Sequence, residues 1–268
     1  MASLGAVRTG EGPLVVALHG FTQTAASLAI LAEALSASHR VVRLDLPGHG
    51  DSSEVSADLD ATAQLVLDET HGEPFDLIGY SLGGRVALHV ALRAPSGLGR
   101  VVTIGASAGI ADEAARGARL ERDLSMADAL ESRGEVDAFL DAWLRNPMFA
   151  TLSHDAADLD TRRANTAPGL ADSLRRSSLG TQRWLEPELS ALSHPLLAIA
   201  GARDDPFVAA GCRWAASNRA IAAAVVPGSG HACHLEQPAV VARLIGSFLD
   251  PTASRGRPDP EGQDGARD

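Results

Sequence analysis

Two observations predict an α/β fold whose mostly parallel sheet is flanked by helices. Short apolar runs of strand length alternate with stretches of helical composition, the order that βαβ units produce. The first of these runs, Leu14-Val15-Val16-Ala17-Leu18, is also continuously apolar, which is what a strand covered on both faces requires.

After a short polar start, that first run ends in His19-Gly20-Phe21 and leads through a loop into a helix over residues 25–35. Val41-Val42-Arg43-Leu44 is the second strand, closed by Asp45-Leu46-Pro47-Gly48-His49-Gly50, where proline and glycine mark a tight loop. Residues 58–70 read as a helix with Leu59, Ala63, Val66 and Leu67 on one face. The third strand, Phe75-Asp76-Leu77-Ile78, runs into Gly79-Tyr80-Ser81-Leu82-Gly83-Gly84-Arg85 and a helix that ends before Pro95; a fourth follows at Val101-Val102-Thr103-Ile104. From 107 to 193 the strands vanish, and Ala, Asp, Glu, Arg and Leu recur at helical spacing through 112–143 and 170–183. This segment is expected to be a helical lid insertion, leaving 1–106 and 194–250 as the core. The strand pattern resumes at Pro195-Leu196-Leu197-Ala198-Ile199-Ala200 and again over 221–226, and a last helix covers 235–249. Residues 251–268 are proline, glycine and charge with almost no apolar side chains, which predicts a disordered tail.

The composition narrows the function. A chain of 268 residues with 45% hydrophobic side chains can bury a large core. No apolar stretch is long enough to span a bilayer and no basic, then apolar, leader opens the sequence, so the expectation is a cytoplasmic protein with no membrane partner. A formal charge of −11 argues against nucleic-acid binding, which rests on phosphate neutralisation. Every basic side chain is arginine, so arginine abundance is compositional and only the position of an arginine carries meaning. Cys212 and Cys233 read as free thiols. His234 lies three residues past His231 beside Cys233, but further ligands at useful spacing are missing, so neither a metal nor any other cofactor is expected. Nothing in the sequence identifies a partner protein.

Gly79-Tyr80-Ser81-Leu82-Gly83 is a G-x-S-x-G turn between a strand and a helix, which exposes its serine on a sharp corner. An acid follows the next-to-last strand, Asp204 or the adjacent Asp205, and His231 follows the last. The order Ser, Asp, His, each at the carboxyl end of a strand, resembles that of the α/β-hydrolase fold. The three residue types depend on one another chemically. The hydroxyl acts only if an imidazole takes its proton, and a carboxylate holds that imidazole in one tautomer. The backbone N–H groups of Leu82, opening the helix, and Phe21, after the first strand, are the expected oxyanion hole. His19 and His49 read as loop-packing residues.

Beyond the fold, the residues resemble one family, 2-succinyl-6-hydroxy-2,4-cyclohexadiene-1-carboxylate synthase of menaquinone (vitamin K2) biosynthesis. The similar segments are His19-Gly20-Phe21-Thr22-Gln23-Thr24, Asp45 to Gly50, Gly79 to Arg85, Gly201-Ala202-Arg203-Asp204 and Gly230-His231 through Pro238. The resemblance implies a lyase that eliminates pyruvate from a cyclohexene bearing three carboxylates, with triad Ser81 as base. It singles out Asp204 as the acid and assigns substrate contacts to Arg85, Arg119 and Trp143. Arg162 or Arg163 occupies the place of a further family arginine, and the variable spacing does not separate the two. Tyr80, the only tyrosine, either lines the pocket or packs under the turn. The substrate would be a small multi-carboxylate, for which guanidinium forks are suited. The first recognisable strand starts at Leu14, so the leading strands of the wider fold are expected to be missing or vestigial. The triad alone supports a hydrolase of carboxylic esters or C–C bonds equally well; a non-catalytic ligand receptor on the same fold is the third and least favoured reading.

Overall fold

The computed structural model describes residues 3–250. Seven strands form one sheet: β1 (Ala6–Thr9), β2 (Leu14–Leu18), β3 (Arg40–Leu44), β4 (Phe75–Tyr80), β5 (Leu98–Ile104), β6 (Leu196–Gly201) and β7 (Ile221–Val226). Their spatial order is β1-β3-β2-β4-β5-β6-β7, and every neighbouring pair is parallel except β1 with β3. From β2 the chain thus steps outward to β3, then crosses back to β4 and builds the other half. That reversal falls between β2 and β4, and the carboxyl ends of strands flanking such a point are where loops diverge and leave a crevice.

Helices cover both faces. Leu14, Val16 and Leu18 of β2 join one core cluster with α2 (Leu59–Glu69) and α3 (Leu82–Leu92), while Val15 and Ala17 join another with α1 (Ala29–Leu35). The period of two along β2 therefore splits a continuously apolar strand between two cores, as its composition requires. Asp58 caps α2, its Oδ1 accepting the Ala61 N–H at 2.8 Å.

Between β5 and β6 the chain is helical, with α4 (Glu113–Arg133), α5 (Val136–Leu144), α6 (Leu159–Arg162), α7 (Ala167–Arg176) and α8 (Glu186–Leu189). The expected run over 112–143 is two helices, because Gly134 adopts φ 69 and its N–H caps Leu130 O at 2.8 Å. The run over 170–183 stops at Arg176, and residues 177–185 are irregular. After β6 come α9 (Asp205–Ser217), α10 (Cys233–Glu236) and α11 (Pro238–Leu249); the single helix expected over 235–249 is broken at Gln237, where Pro238 restarts it.

The sequence reading missed β1. Its four residues are half-buried or exposed, pair only with β3, and lack the apolar run that marks the inner strands. An edge strand has one neighbour and one solvated side, so it leaves little hydrophobic trace. The expected tail over 251–268 lies outside the described residues. No helix among the described residues is long and apolar enough to cross a membrane.

Candidate active site

The corner after β4 is set by close packing. A Cβ on Gly79 would lie 2.2 Å from Gly83 O, and one on Gly83 would lie 2.4 Å from Leu18 O. Only glycine fits at either place, and both are needed for the chain to turn in so little space. Ser81 between them has φ 49 and ψ −105, outside the ordinary regions for an L-residue and costing about 1–3 kcal/mol. The Ser81 N–H donates to Ile104 O on β5 at 2.8 Å, which anchors the strained residue to the sheet.

His231 follows β7 and reaches back to the corner. Its Nε2 lies 3.0 Å from Ser81 Oγ, and its Nδ1 lies 2.7 Å from Asp204 Oδ2. Nδ1 must carry a proton to bond the carboxylate, which leaves Nε2 as the acceptor facing the hydroxyl. Asp204 and His231 are buried while the neighbouring Asp205 begins α9 and is exposed, so the pairing separates two adjacent acids that spacing could not. Gly105, at φ 55, leaves room for the imidazole: a Cβ there would touch Nδ1 and Cε1 at 3.0 Å. Phe207 covers the other side with its ring centroid 4.8 Å from that of His231.

The loops after β2 and β3 are braced by buried histidines. His19 Nε2 accepts the Leu46 N–H at 3.0 Å, and His49 Nε2 accepts the Thr22 N–H at 3.3 Å. Burial pushes His19 down to about 4, and His49 and His234 down to about 3, so all three are neutral near pH 7. Their folded values lie below the unfolded value of about 6.5, so as pH falls the unfolded chain takes up protons first and stability is lost. Full stability holds above pH 6.5 and declines as pH approaches the folded values. About 2 kcal/mol per histidine is expected to be gone by pH 5. A lower urea midpoint at pH 5 than at pH 7, with a smaller drop in His234→Gln, checks this; equal midpoints at the two pH values would contradict it.

A cavity of about 690 Å³ opens above Ser81, with Phe21, Leu82, Arg85, Arg119, Trp143 and Phe207 among its walls. Leu82 is the first residue of α3, so its N–H has no partner within the helix. Arg85, one turn further along α3, is buried and held by neutral groups only: Nε donates to Gln182 Oε1 at 2.5 Å and Nη2 to Ser178 O at 3.1 Å. Burial, and secondarily the charge of Arg119, lowers its value to about 9, still protonated at neutral pH. Arg119 Nε reaches both oxygens of buried Asp123 at 2.8 Å, and Ser178 Oγ donates to the same carboxylate at 2.7 Å. Ser178 thereby ties the two arginines together. Trp143 stands edge-on to Phe21 with centroids 5.0 Å apart.

Two expected substrate contacts are placed elsewhere. Tyr80 is buried beneath the loop after β2, where its ring occupies the space a Cβ on Gly20 would fill and lies tilted against His234 with centroids 4.1 Å apart. It is absent from the cavity wall, because the residue before Ser81 points to the opposite side of the corner. Arg162 is 1% exposed and also absent from that wall, with Nε donating to Ala157 O at 2.7 Å and Nη1 to Thr22 Oγ1. Arg163 faces outward, paired to Asp137 and Asp160. The sequence reading missed Gln182 and Ser178, as well as Arg133 and Arg145 on the cavity wall. It also missed Phe139, on the same wall four residues before Trp143, which helical spacing could have found.

An α/β hydrolase family model matches residues 15–244. A 2-succinyl-6-hydroxy-2,4-cyclohexadiene-1-carboxylate synthase from Serratia proteamaculans is 37% identical over 218 residues, covering 77% of this chain and 81% of the relative. The chain belongs to that synthase family. A synthase of the same name from an Enterobacter species is 33% identical, covering 91% of this chain and 95% of its own. The solved structure of MenH from S. aureus superposes with a TM-score of 0.84 at 26% identity, covering 93% of this chain and 98% of that one. The synthase family and the fold expected from the motifs are thus both established, and the chain is an enzyme of the α/β-hydrolase superfamily.

Proposed function

We infer that this synthase-family chain eliminates pyruvate from 2-succinyl-5-enolpyruvyl-6-hydroxy-3-cyclohexene-1-carboxylate to give 2-succinyl-6-hydroxy-2,4-cyclohexadiene-1-carboxylate, with Ser81 as the general base. The observation that carries this reading is a single cavity whose wall contains both the triad serine and the buried guanidinium of Arg85, whose own hydrogen bonds go to neutral oxygens while nearby Asp123 is bonded to Arg119. A buried guanidinium with only neutral partners retains most of its desolvation cost, and an anionic ligand relieves it. Hydrolysis of a neutral ester makes no use of such a group.

The chemistry follows from the substrate. Ser81 Oγ takes the ring proton beside the succinyl carbonyl as it passes its own proton to His231 Nε2, and Asp204 steadies the imidazolium. The electron pair left behind spreads onto the succinyl oxygen, where the N–H groups of Phe21 and Leu82 receive it. Its return forms a ring double bond, moves the existing one along, and breaks the C–O bond to the enolpyruvyl group. Pyruvate leaves once its enolate regains a proton, so no water is consumed. Arg85 and Arg119 hold carboxylates, Trp143 and Phe21 form the apolar wall beside the ring, and the helices of 107–193 act as the lid.

Supplying the enolpyruvyl substrate and coupling release to lactate dehydrogenase tests the reading; a rate no higher than without protein would sink it. Arg85→Gln is expected to raise KM by about 30-fold, from a charged hydrogen bond worth about 2 kcal/mol, with a smaller fall in kcat. An unchanged KM, or rapid turnover of neutral p-nitrophenyl esters that ignores the substitution, would favour ester hydrolysis instead.

A further inference from the structure

Thr22 is fully buried and has φ 68, a conformation that a β-branched residue rarely adopts. It is the third residue of a β-turn closed by Gln23 N–H donating to Gly20 O at 3.0 Å, and a positive φ there is the mark of a type II turn, where glycine is usual. Phe21, whose N–H the proposed oxyanion hole uses, is the second residue of the same turn.

Every polar group of Thr22 is taken up from elsewhere. His49 Nε2 accepts its N–H at 3.3 Å, Asn165 Nδ2 donates to its carbonyl at 2.7 Å, and Arg162 Nη1 donates to its hydroxyl. Asn165 and Arg162 are themselves buried and belong to one stretch of the helical segment. Asn165 Oδ1 also accepts the Gly50 N–H at 2.9 Å, and Arg162 Nε is fixed on Ala157 O. A nearby hydroxyl pair, Ser27 with Thr161 at 3.1 Å, joins the same two strips of chain.

We propose that Arg162 and Asn165 are positioning residues: they hold Thr22 in its strained turn and so aim the Phe21 N–H at the oxyanion. This rests on the assignment of Phe21 N–H to the oxyanion hole. Without the two side chains Thr22 relaxes toward negative φ, which reverses the Phe21–Thr22 peptide and frees the adjoining Gly20–Phe21 peptide, and with it the Phe21 N–H, to shift from its place. A buried arginine in this place works through backbone geometry and leaves the carboxylates to Arg85 and Arg119.

The test reads the oxyanion hole apart from the lyase reaction. A fluorophosphonate probe labels an activated serine: the Oγ–P bond forms, the proton goes to His231, and fluoride leaves as the charged P–O is stabilised by the oxyanion donors. Arg162→Gln is expected to slow Ser81 labelling about 100-fold and to lower kcat for pyruvate release in parallel, with KM little changed. Adding Thr22→Gly should restore at least tenfold of each, because glycine holds φ 68 without a clamp. If Arg162→Gln fails to fold on thermal melting, Asn165→Ala, alone and with Thr22→Gly, takes its place. Labelling at the wild-type rate, no rescue by glycine, a raised KM with unchanged kcat, or a wild-type protein that is not labelled overturns the proposal. Normal labelling with no pyruvate release overturns the lyase reading and leaves the clamp intact.

Discussion

Ser81→Ala is expected to lower kcat for pyruvate release by about 10³-fold, the span that a positioned proton-transfer group contributes. The hydroxyl sits 3.0 Å from His231 Nε2 at the floor of the cavity, and with alanine there the imidazole has no relay to the ring proton. Alanine carries the same Cβ as serine, so the cost of φ 49 is unchanged and the fold should be retained. Product affinity should also hold, since the carboxylates are assigned to Arg85 and Arg119 on other parts of the wall. Pyruvate-coupled kinetics and product titration check both halves. A variant within tenfold of wild type would remove the serine from the proton transfer and leave His231 as the direct base.

Asp204→Asn is expected to cost about 10³-fold or more in kcat, with KM little affected. The carboxylate accepts from His231 Nδ1 at 2.7 Å in a buried setting. An amide there can present N–H to the ring, which favours the tautomer with the proton on Nε2, the wrong nitrogen for taking one from serine. It also leaves the imidazolium formed during the reaction without a counter-charge. Asp205→Asn, one residue on and exposed, should behave as wild type. Equal effects at the two positions would mean that local structure, and not the charge on Asp204, is what the substitution removes.

β2 and β6 were readable because each is a continuous apolar run, and the corner because Gly79 and Gly83 have steric reasons to be glycine. β1 was not, since a four-residue edge strand buries too little to leave a pattern. The family resemblance assigned Arg85 a substrate contact, and Arg85 and Ser81 both line the cavity. Tyr80, left open between the pocket and packing under the turn, and Arg162, offered by the resemblance, are both absent from the cavity wall. Gln182 and Ser178, which hold Arg85, lie in the irregular stretch after α7, where no periodicity exists to read.

Residue order and composition were enough for the α/β succession of elements, for Ser, Asp and His at successive strand ends, and for the family motifs from which the synthase assignment followed. Strand composition and turn sterics are matters of local chemistry, written within a few positions of one another, and the order of Ser, Asp and His needs only each residue's place after its own strand. It took the packed molecule to decide which of Asp204 and Asp205 meets His231, that Arg85 is buried among neutral partners, and that Arg162 closes on Thr22 rather than on the cavity. Each of these depends on contacts between groups from 27 to 140 residues apart, the first set by the loops after β6 and β7 and the others by how the segment after β5 packs on the sheet. Spacing along the chain fixes the face a side chain takes on its own helix, and packing alone fixes what that face meets.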